Sequence, residues 1–257
     1  MTVNPERSNG HDQPAIRLEG VSKSFNDRKV LDDVSLHVAE ATCFCLLGRS
    51  GTGKSVTLKH IIGLLKPDQG HVFVHGKDVT DLKRRELSEV RRRMGFLFQN
   101  AALFDSISVG ENVAFPMRRH TDWDEQKIHE AAKSKLANVG LADDFDKMPS
   151  DLSGGMKKRA GLARAMALDP SLLLVDEPSA GLDPITTDEI DDLLLGLKNE
   201  GRTTLVVVTH NIPSARKIGD ELVMLHEGRI AARGTPEELE RSDNPIVKAF
   251  MSSAHAG

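Results

Sequence analysis

The sequence predicts an α/β fold, with a parallel or mixed sheet covered on both faces. Three observations carry that expectation. Short, predominantly apolar runs at 42–47, 172–175 and 204–208, the second of them fully apolar, alternate with segments whose apolar residues recur at helical spacing. Strands without a polar face belong in a sheet buried on both sides. A glycine-rich turn, Gly48 to Ser55, lies between the first of these runs and a helical segment. Residues 109–148 carry helical periodicity and no strand pattern. They mark a helical subdomain, over about residues 100–168, inserted into the α/β core.

Taken in order, Met1 to Pro14 is polar and reads as a disordered tail; it lacks the apolar stretch of a signal peptide. Residues 16–47 read as short strands, Ile16–Leu18, Val34–Val38 and Thr42–Leu47, separated by turn residues that include Asn26-Asp27 and Asp32-Asp33. Phe25 has only Val21 and Val30 as apolar neighbours in sequence. It is either core or a flat ring on which a base stacks. Cys43 and Cys45 are the two cysteines. Alternate strand residues face the same way, and two thiols with no nearby His do not make a metal site. Both read as small core residues of a protein in a reducing cytoplasm.

Val56 to Leu65 repeat apolar residues at helical spacing, and Lys66 to Gly70 form a turn before the strand His71–Val74. Lys83 to Arg93 is strongly basic. It is either a solvated helix face or a docking surface for an acidic or lipid-facing partner. The strand Met94–Phe98 ends at Gln99, and helices are expected over Val109–Phe115, Trp123–Val139 and residues 151–168. The apolar strand Leu172–Val175 runs into Asp176-Glu177-Pro178. Asp183-Pro184 supplies an N-cap and first helical residue, and that helix ends near Gly201. Thr204–Val208 ends at Thr209-His210. Two short strands flank Glu227-Gly228, and one or two short helices follow Thr235. The main domain spans 15–241. Residues 242–257 form a tail in which Asn244-Pro245 begins a short helix, one that either grips a second copy or packs locally.

Apolar residues make up 39% and charged residues 28% of the chain, as in ordinary globular proteins. The net charge of −4 gives no push toward nucleic acid or anionic lipid. No apolar run reaches the roughly 18 residues that a membrane span requires, so a membrane function would need a partner to supply that part.

The chemistry begins at Gly48-Arg49-Ser50-Gly51-Thr52-Gly53-Lys54-Ser55, which fits the phosphate-loop pattern G-x-x-x-x-G-K-[ST]. The glycines let backbone N–H groups curl around an anion. The helix that follows, starting with Ser55 and Val56, points the positive end of its dipole at the same place. Lys54 reaches the outer phosphates and the Ser55 hydroxyl can take magnesium. Asp176 stands at the carboxyl end of a buried strand, where open α/β sheets bind ligands, and can hold magnesium opposite Ser55. Glu177 is placed to act as general base on water. Gln99 and His210 end strands of the same sheet: Gln99 could ligate the metal or the water, and His210 could contact the γ-phosphate. Ser153, Gly154 and Gly155 open another helix and make a second anion site. One chain with one lysine-bearing loop has no use for it, which suggests a two-fold dimer with each copy completing the other's site.

These motifs, in this order over about residues 15–240, resemble the ATP-binding subunit of ABC transporters. Gly48–Ser55 resembles the Walker A motif and Leu172–Glu177 the Walker B motif. Gln99 falls at the Q-loop, Leu152–Met156 resembles the signature, Ser179–Asp183 the D-loop, and His210 the switch histidine. Phe25 falls where the family places its base-stacking aromatic. The resemblance implies an ABC ATPase fold: a P-loop NTPase core with a mixed or parallel sheet, an N-terminal antiparallel β-subdomain and an inserted helical subdomain. It also implies ATP and Mg2+ as cofactors, with Asp183 near the nucleotide, and a homodimer closing head-to-tail on two ATP. An integral permease would take up the motion near Gln99, placing the chain on the cytoplasmic face of the inner membrane; no nucleic-acid partner is implied. One departure is Met156, where the signature commonly has Gln. Together with Gly95 to Ser106, Glu111 to Pro116 and Leu152 to Arg159, it is similar to the Mla-type ATPases. These traffic phospholipids between inner and outer membranes with a permease and a Mce-domain lipid-binding protein. An importer of an amino acid or other small solute is the alternative.

Overall fold

Residues 13–253 are described by a computed structural model; the tail expected over residues 1–14 otherwise lies outside the described residues. The first two strands are longer than the sequence marks them. β1 (Ile16–Phe25) and β2 (Arg28–Val38) pair antiparallel through a two-residue turn in which Asn26 has φ 52°. Asp32-Asp33, expected as a turn, lies inside β2 as an irregularity of the ladder, with Asp33 at φ 55°. The reason is local. The Asp33 N–H donates to Ser22 Oγ at 2.9 Å, and Asp32 accepts from Arg229 Nε at 2.7 Å, so two turn-type residues are satisfied without reversing the chain.

β3 (Cys43–Leu47) leads into α1 (Lys54–Ile61). Gly63, at φ 65°, ends that helix region short of the expected Leu65. β4 (Gln69–Val74) pairs with β1, and β5 (Lys77–Asp78) completes an antiparallel sheet in the order β2-β1-β4-β5. The basic stretch forms α2 (Arg84–Arg91), none of whose residues is buried, ahead of β6 (Met94–Leu97). The helical block follows as α3 (Val109–His120) and α4 (Glu125–Ala137). A 3₁₀ turn at Pro149–Asp151 precedes α5 (Gly154–Ala165). The helix expected over 151–168 is therefore shorter at both ends: Ser153 caps it, its Oγ accepting from the Met156 N–H at 3.2 Å.

β7 (Leu172–Asp176), α6 (Pro184–Asn199) and β8 (Thr204–Thr209) fall as the sequence predicts. α7 (Ile212–Ile218) does not. It is a short helix capped by Asn211, with Pro213 in its first turn, too brief to show periodicity. β9 (Glu221–His226), β10 (Arg229–Gly234), α8 (Pro236–Glu240) and α9 (Pro245–Ser252) close the chain. The second sheet runs β10-β9-β3-β8-β7-β6, parallel except for β10.

That sheet divides two apolar cores. Cys43, Cys45 and Leu47 of β3 face a core built with α3 to α9, while Phe44 and Leu46 face one built with β1, β2, β4 and α1. Burying a Val, Leu or Ile side chain contributes about 1.5–3 kcal/mol, so the alternation of β3 ties both layers to one strand. Both cysteines are free and fully buried. Val247, Phe250 and Met251 place α9 on the first core, so this helix packs on its own chain.

Candidate functional site

Adjacent parallel strands deliver their carboxyl ends to one edge. Leu47 pairs with Thr209, Val208 with Asp176, and Val175 with Leu97. The phosphate loop leaves β3, His210 follows β8, Glu177 follows β7, and Gln99 lies in the turn beyond β6. The loop fits closely. A Cβ at Gly48 would lie 2.5 Å from the Leu225 carbonyl oxygen, and one at Gly53, which sits at φ 106°, would lie 2.6 Å from Leu31 Cδ2. Gly53 is also the N-cap of α1, and no side chain caps that helix. Its first N–H groups are thus donors for a bound anion.

Lys54 is buried and donates to the carbonyls of Gly48 at 2.8 Å and Arg49 at 3.2 Å. It also pairs with Glu177 Oε1 at 3.3 Å. The Ser55 hydroxyl donates to Asp176 Oδ1 at 2.9 Å. Burial pushes the Asp176 carboxyl above the ordinary carboxylate range; the neighbouring Glu177 charge adds to this, and the Ser55 hydrogen bond opposes it. A hydroxyl beside a buried carboxylate is an oxygen donor set suited to a hard divalent cation, whose charge would favour the ionised acid.

Glu177 is 8% exposed and sits in the left-handed region at φ 48°, strained for a residue with a side chain. Its N–H donates to the Val208 carbonyl at 2.8 Å. Its Oε2 accepts from the His210 N–H at 3.3 Å and lies 2.9 Å from His210 Nδ1. Lys54 and His210 therefore hold the two oxygens of one carboxylate from opposite sides. His210 itself is exposed.

The remaining candidates fall into two groups. Phe25 is 44% exposed at the tip of the β1–β2 hairpin, with Lys23 Nζ 5.7 Å from its ring centre. It is thus not core. A cavity of about 350 Å³ separates the hairpin from the phosphate loop, lined by Arg28, Lys29, Arg49, Thr52 and His226. Ser153, Gly154, Gly155 and Asp183 lie together where α5 meets α6: Thr186 packs against Gly155, and Asp183 caps α6 by accepting from the N–H groups of Ile185 and Thr186 at 3.0 Å. The Thr186 hydroxyl and these N–H groups hold the Asp183 carboxyl below its ordinary range. This group makes no hydrogen bond to the phosphate loop among the described residues. Gln99 is exposed, and among the described residues its side chain bonds to neither Ser55 nor Asp176.

Sequence reasoning missed Arg28, Lys29 and His226, which only the hairpin and the β9–β10 turn bring to the cavity. It also missed Lys158, whose Nζ donates to the carbonyls of Gln99 and, at 3.0 Å, of Glu177. The available signal was helical: Lys158 shares a face of α5 with Gly161 and Leu162. A second groove, of about 490 Å³, opens behind Gln99 between α2, β6, α3 and α5. Phe98, Phe104 and Phe115 line it and are each exposed, with Arg84 and Arg92 at its rim.

The family described as ABC transporter matches residues 31–180. The chain is 42% identical over 243 residues to the probable ribonucleotide transport ATP-binding protein mkl of Mycobacterium tuberculosis, covering 95% of this chain and 68% of that one. It is 40% identical over 245 residues to the intermembrane phospholipid transport system ATP-binding protein MlaF of Haemophilus influenzae, covering 95% and 93%. Among solved structures, the dimeric ATP-binding cassette MJ0796 in a post-hydrolysis state with ADP and Pi superposes with a TM-score of 0.80 at 31% identity, over 86% of this chain and 98% of that one. A phosphate loop facing a buried acidic pair on a parallel sheet, matched in fold and sequence by such cassettes, places the chain in the ABC transporter family as an ATP-binding, ATP-hydrolysing subunit.

Proposed function

We propose that the chain powers phospholipid transport between inner and outer membranes, bound to a permease on the cytoplasmic face of the inner membrane. The observation that carries this reading is the match to the MlaF protein of Haemophilus influenzae along 93% of its length. The permease needs a docking surface, and the aromatic groove behind Gln99 suits it: three exposed phenylalanines ringed by arginines, next to the catalytic edge. No helix among the described residues is long and apolar enough to cross a membrane, which fits a division of labour with a membrane subunit.

Two copies close head-to-tail, so that Ser153, Gly154 and Gly155 of one face the nucleotide held by Gly48–Val56 of the other. Lys54 holds the outer phosphates and Phe25 stacks on the base. Glu177 accepts a proton from the water attacking the γ-phosphorus, and the bond to ADP breaks. His210 orients Glu177 and meets the γ-phosphate. Ser55, Asp176 and Gln99 would hold magnesium, which would supply positive charge to offset that of the phosphates.

The name of the mycobacterial relative, which speaks of ribonucleotide transport, favours a second reading, transport of a small solute. Purification of the native complex through a tagged chain separates the two. Recovery of a permease with a Mce-domain lipid-binding protein supports phospholipid transport; recovery of a solute-binding protein overturns it.

A further inference from the structure

Lys158 is 4% exposed, and among the described residues it forms no ion pair. Its ammonium is held by two backbone carbonyls, those of Gln99 and Glu177. Burying a cation whose hydrogen-bond partners are neutral is costly, and burial lowers its pKa, with the nearby Asp176 and Glu177 carboxylates opposing. An apolar side chain would fill the same space more cheaply, so the charge calls for a role.

Glu177 needs holding. Its left-handed backbone is strained, and its two backbone polar groups are pinned from different elements: the N–H by Val208 of β8, the carbonyl by Lys158 of α5 and, within its own turn, by the Ala180 N–H at 3.2 Å, so that Lys158 is the only one of the carbonyl's two donors that reaches it from another element. The same helix grips the turn after β6. Arg164 donates to the carbonyls of Ala101 and Ala102 at 2.7 Å each, and both alanines have positive φ. A Cβ at Gly161 would lie 3.0 Å from that of Ala101, so turn and helix are in close contact. One face of α5 thus fastens the Gln99 turn and Glu177 together, while its N-terminus carries Ser153–Gly155.

We propose that Lys158 is a positioning residue for hydrolysis: by clamping the Glu177 carbonyl to α5, it fixes the direction of the Glu177 carboxylate and ties it to the placement of the helix whose N-terminus serves the opposite nucleotide. The link between pockets rests on the head-to-tail arrangement given above; the clamp on Glu177 does not. A misdirected carboxylate slows proton transfer without weakening phosphate binding, because Lys54 and the loop N–H groups are untouched.

The test compares Lys158→Met, Lys158→Gln and Lys158→Arg in the full chain. In the Met and Gln variants kcat for ATP should fall about tenfold or more while KM stays within about threefold, and Arg, which keeps the donors, should retain about a third of kcat or better. Lys158→Met combined with Glu177→Gln should still form the ATP-bound dimer on size exclusion that Glu177→Gln alone forms. A kcat within about twofold of the parent in every variant that folds overturns the proposal. So does a folded double variant that no longer dimerises, since Lys158 would then serve nucleotide capture. If Lys158→Met does not fold, the Gln and Arg pair decides by the same criteria. Should Glu177→Gln by itself remain monomeric with ATP, the head-to-tail arrangement fails and the link between pockets with it, while the kcat comparison still judges the clamp.

Discussion

Lys54 folds across its own loop, bonded to the carbonyls of Gly48 and Arg49 and paired with Glu177. A nucleotide would trade those contacts for phosphate oxygens without moving the backbone. Lys54→Ala should therefore abolish ATP binding and hydrolysis at little cost to the fold; ATPase activity equal to that of the parent refutes the site. Phe25 is more exposed than a core ring and stands at a hairpin tip. Phe25→Ala should weaken nucleotide affinity by about 1–3 kcal/mol through lost base stacking, read as a higher dissociation constant with an unchanged melting temperature. An unchanged dissociation constant removes the stacking role. The phosphate loop, Asp176 and Glu177 were legible in sequence because their chemistry sits in contiguous residues with fixed spacing. Lys158 was not: its partners are backbone carbonyls distant in sequence, which no pattern of side chains announces.

At the level of elements, α1 joins the phosphate loop to the second core and carries a buried histidine. His60 lies 2.8 Å from the Leu65 carbonyl through Nδ1, which therefore donates, and its Nε2 has no hydrogen-bond partner among the described residues. Burial lowers its pKa below the ordinary value of 6.5, the Leu65 carbonyl opposing. The sign follows from proton counting. Between the two pKa values the unfolded chain binds more protons than the folded one, so stability is full above about 6.5 and declines as pH falls below it. His60→Gln should flatten the fall in melting temperature between about pH 7.5 and 5.5; an identical pH profile places the dependence elsewhere. Long elements such as α6 and the fully apolar strands were readable because apolar residues repeat over several turns or run unbroken. α7 and β5 were too short to carry a period, and Asp32-Asp33 misled because turn chemistry also serves a bulge.

Across the whole molecule, one sheet carries three tasks. Its carboxyl edge holds the phosphate loop and acidic pair, β6 leads into the aromatic groove, and its faces divide the two cores. The parallel sheet and its helical insertion followed from apolar runs and their spacing. The separate antiparallel layer, pressed on the opposite face through Ile16, Leu18 and Leu36, depends on long-range pairing that local residue choice shows only weakly.

Cys43 and Cys45 sit on the middle of that dividing sheet, flanked by β8 and β9 and sealed from solvent. Both sulfurs face the core built with α3 to α9, so a maleimide can reach them only when that helical layer lifts from the sheet, a large opening rather than fraying. Alkylation of the wild-type chain should accordingly be slow, with both thiols reacting together, and slower still with saturating ATP, since a ligand bound only to the native form suppresses opening. Rapid modification of one thiol in folded protein would show a leak beside β3. Otherwise the chain carries its own chemical stopwatch for unfolding, readable by mass spectrometry without any engineered label.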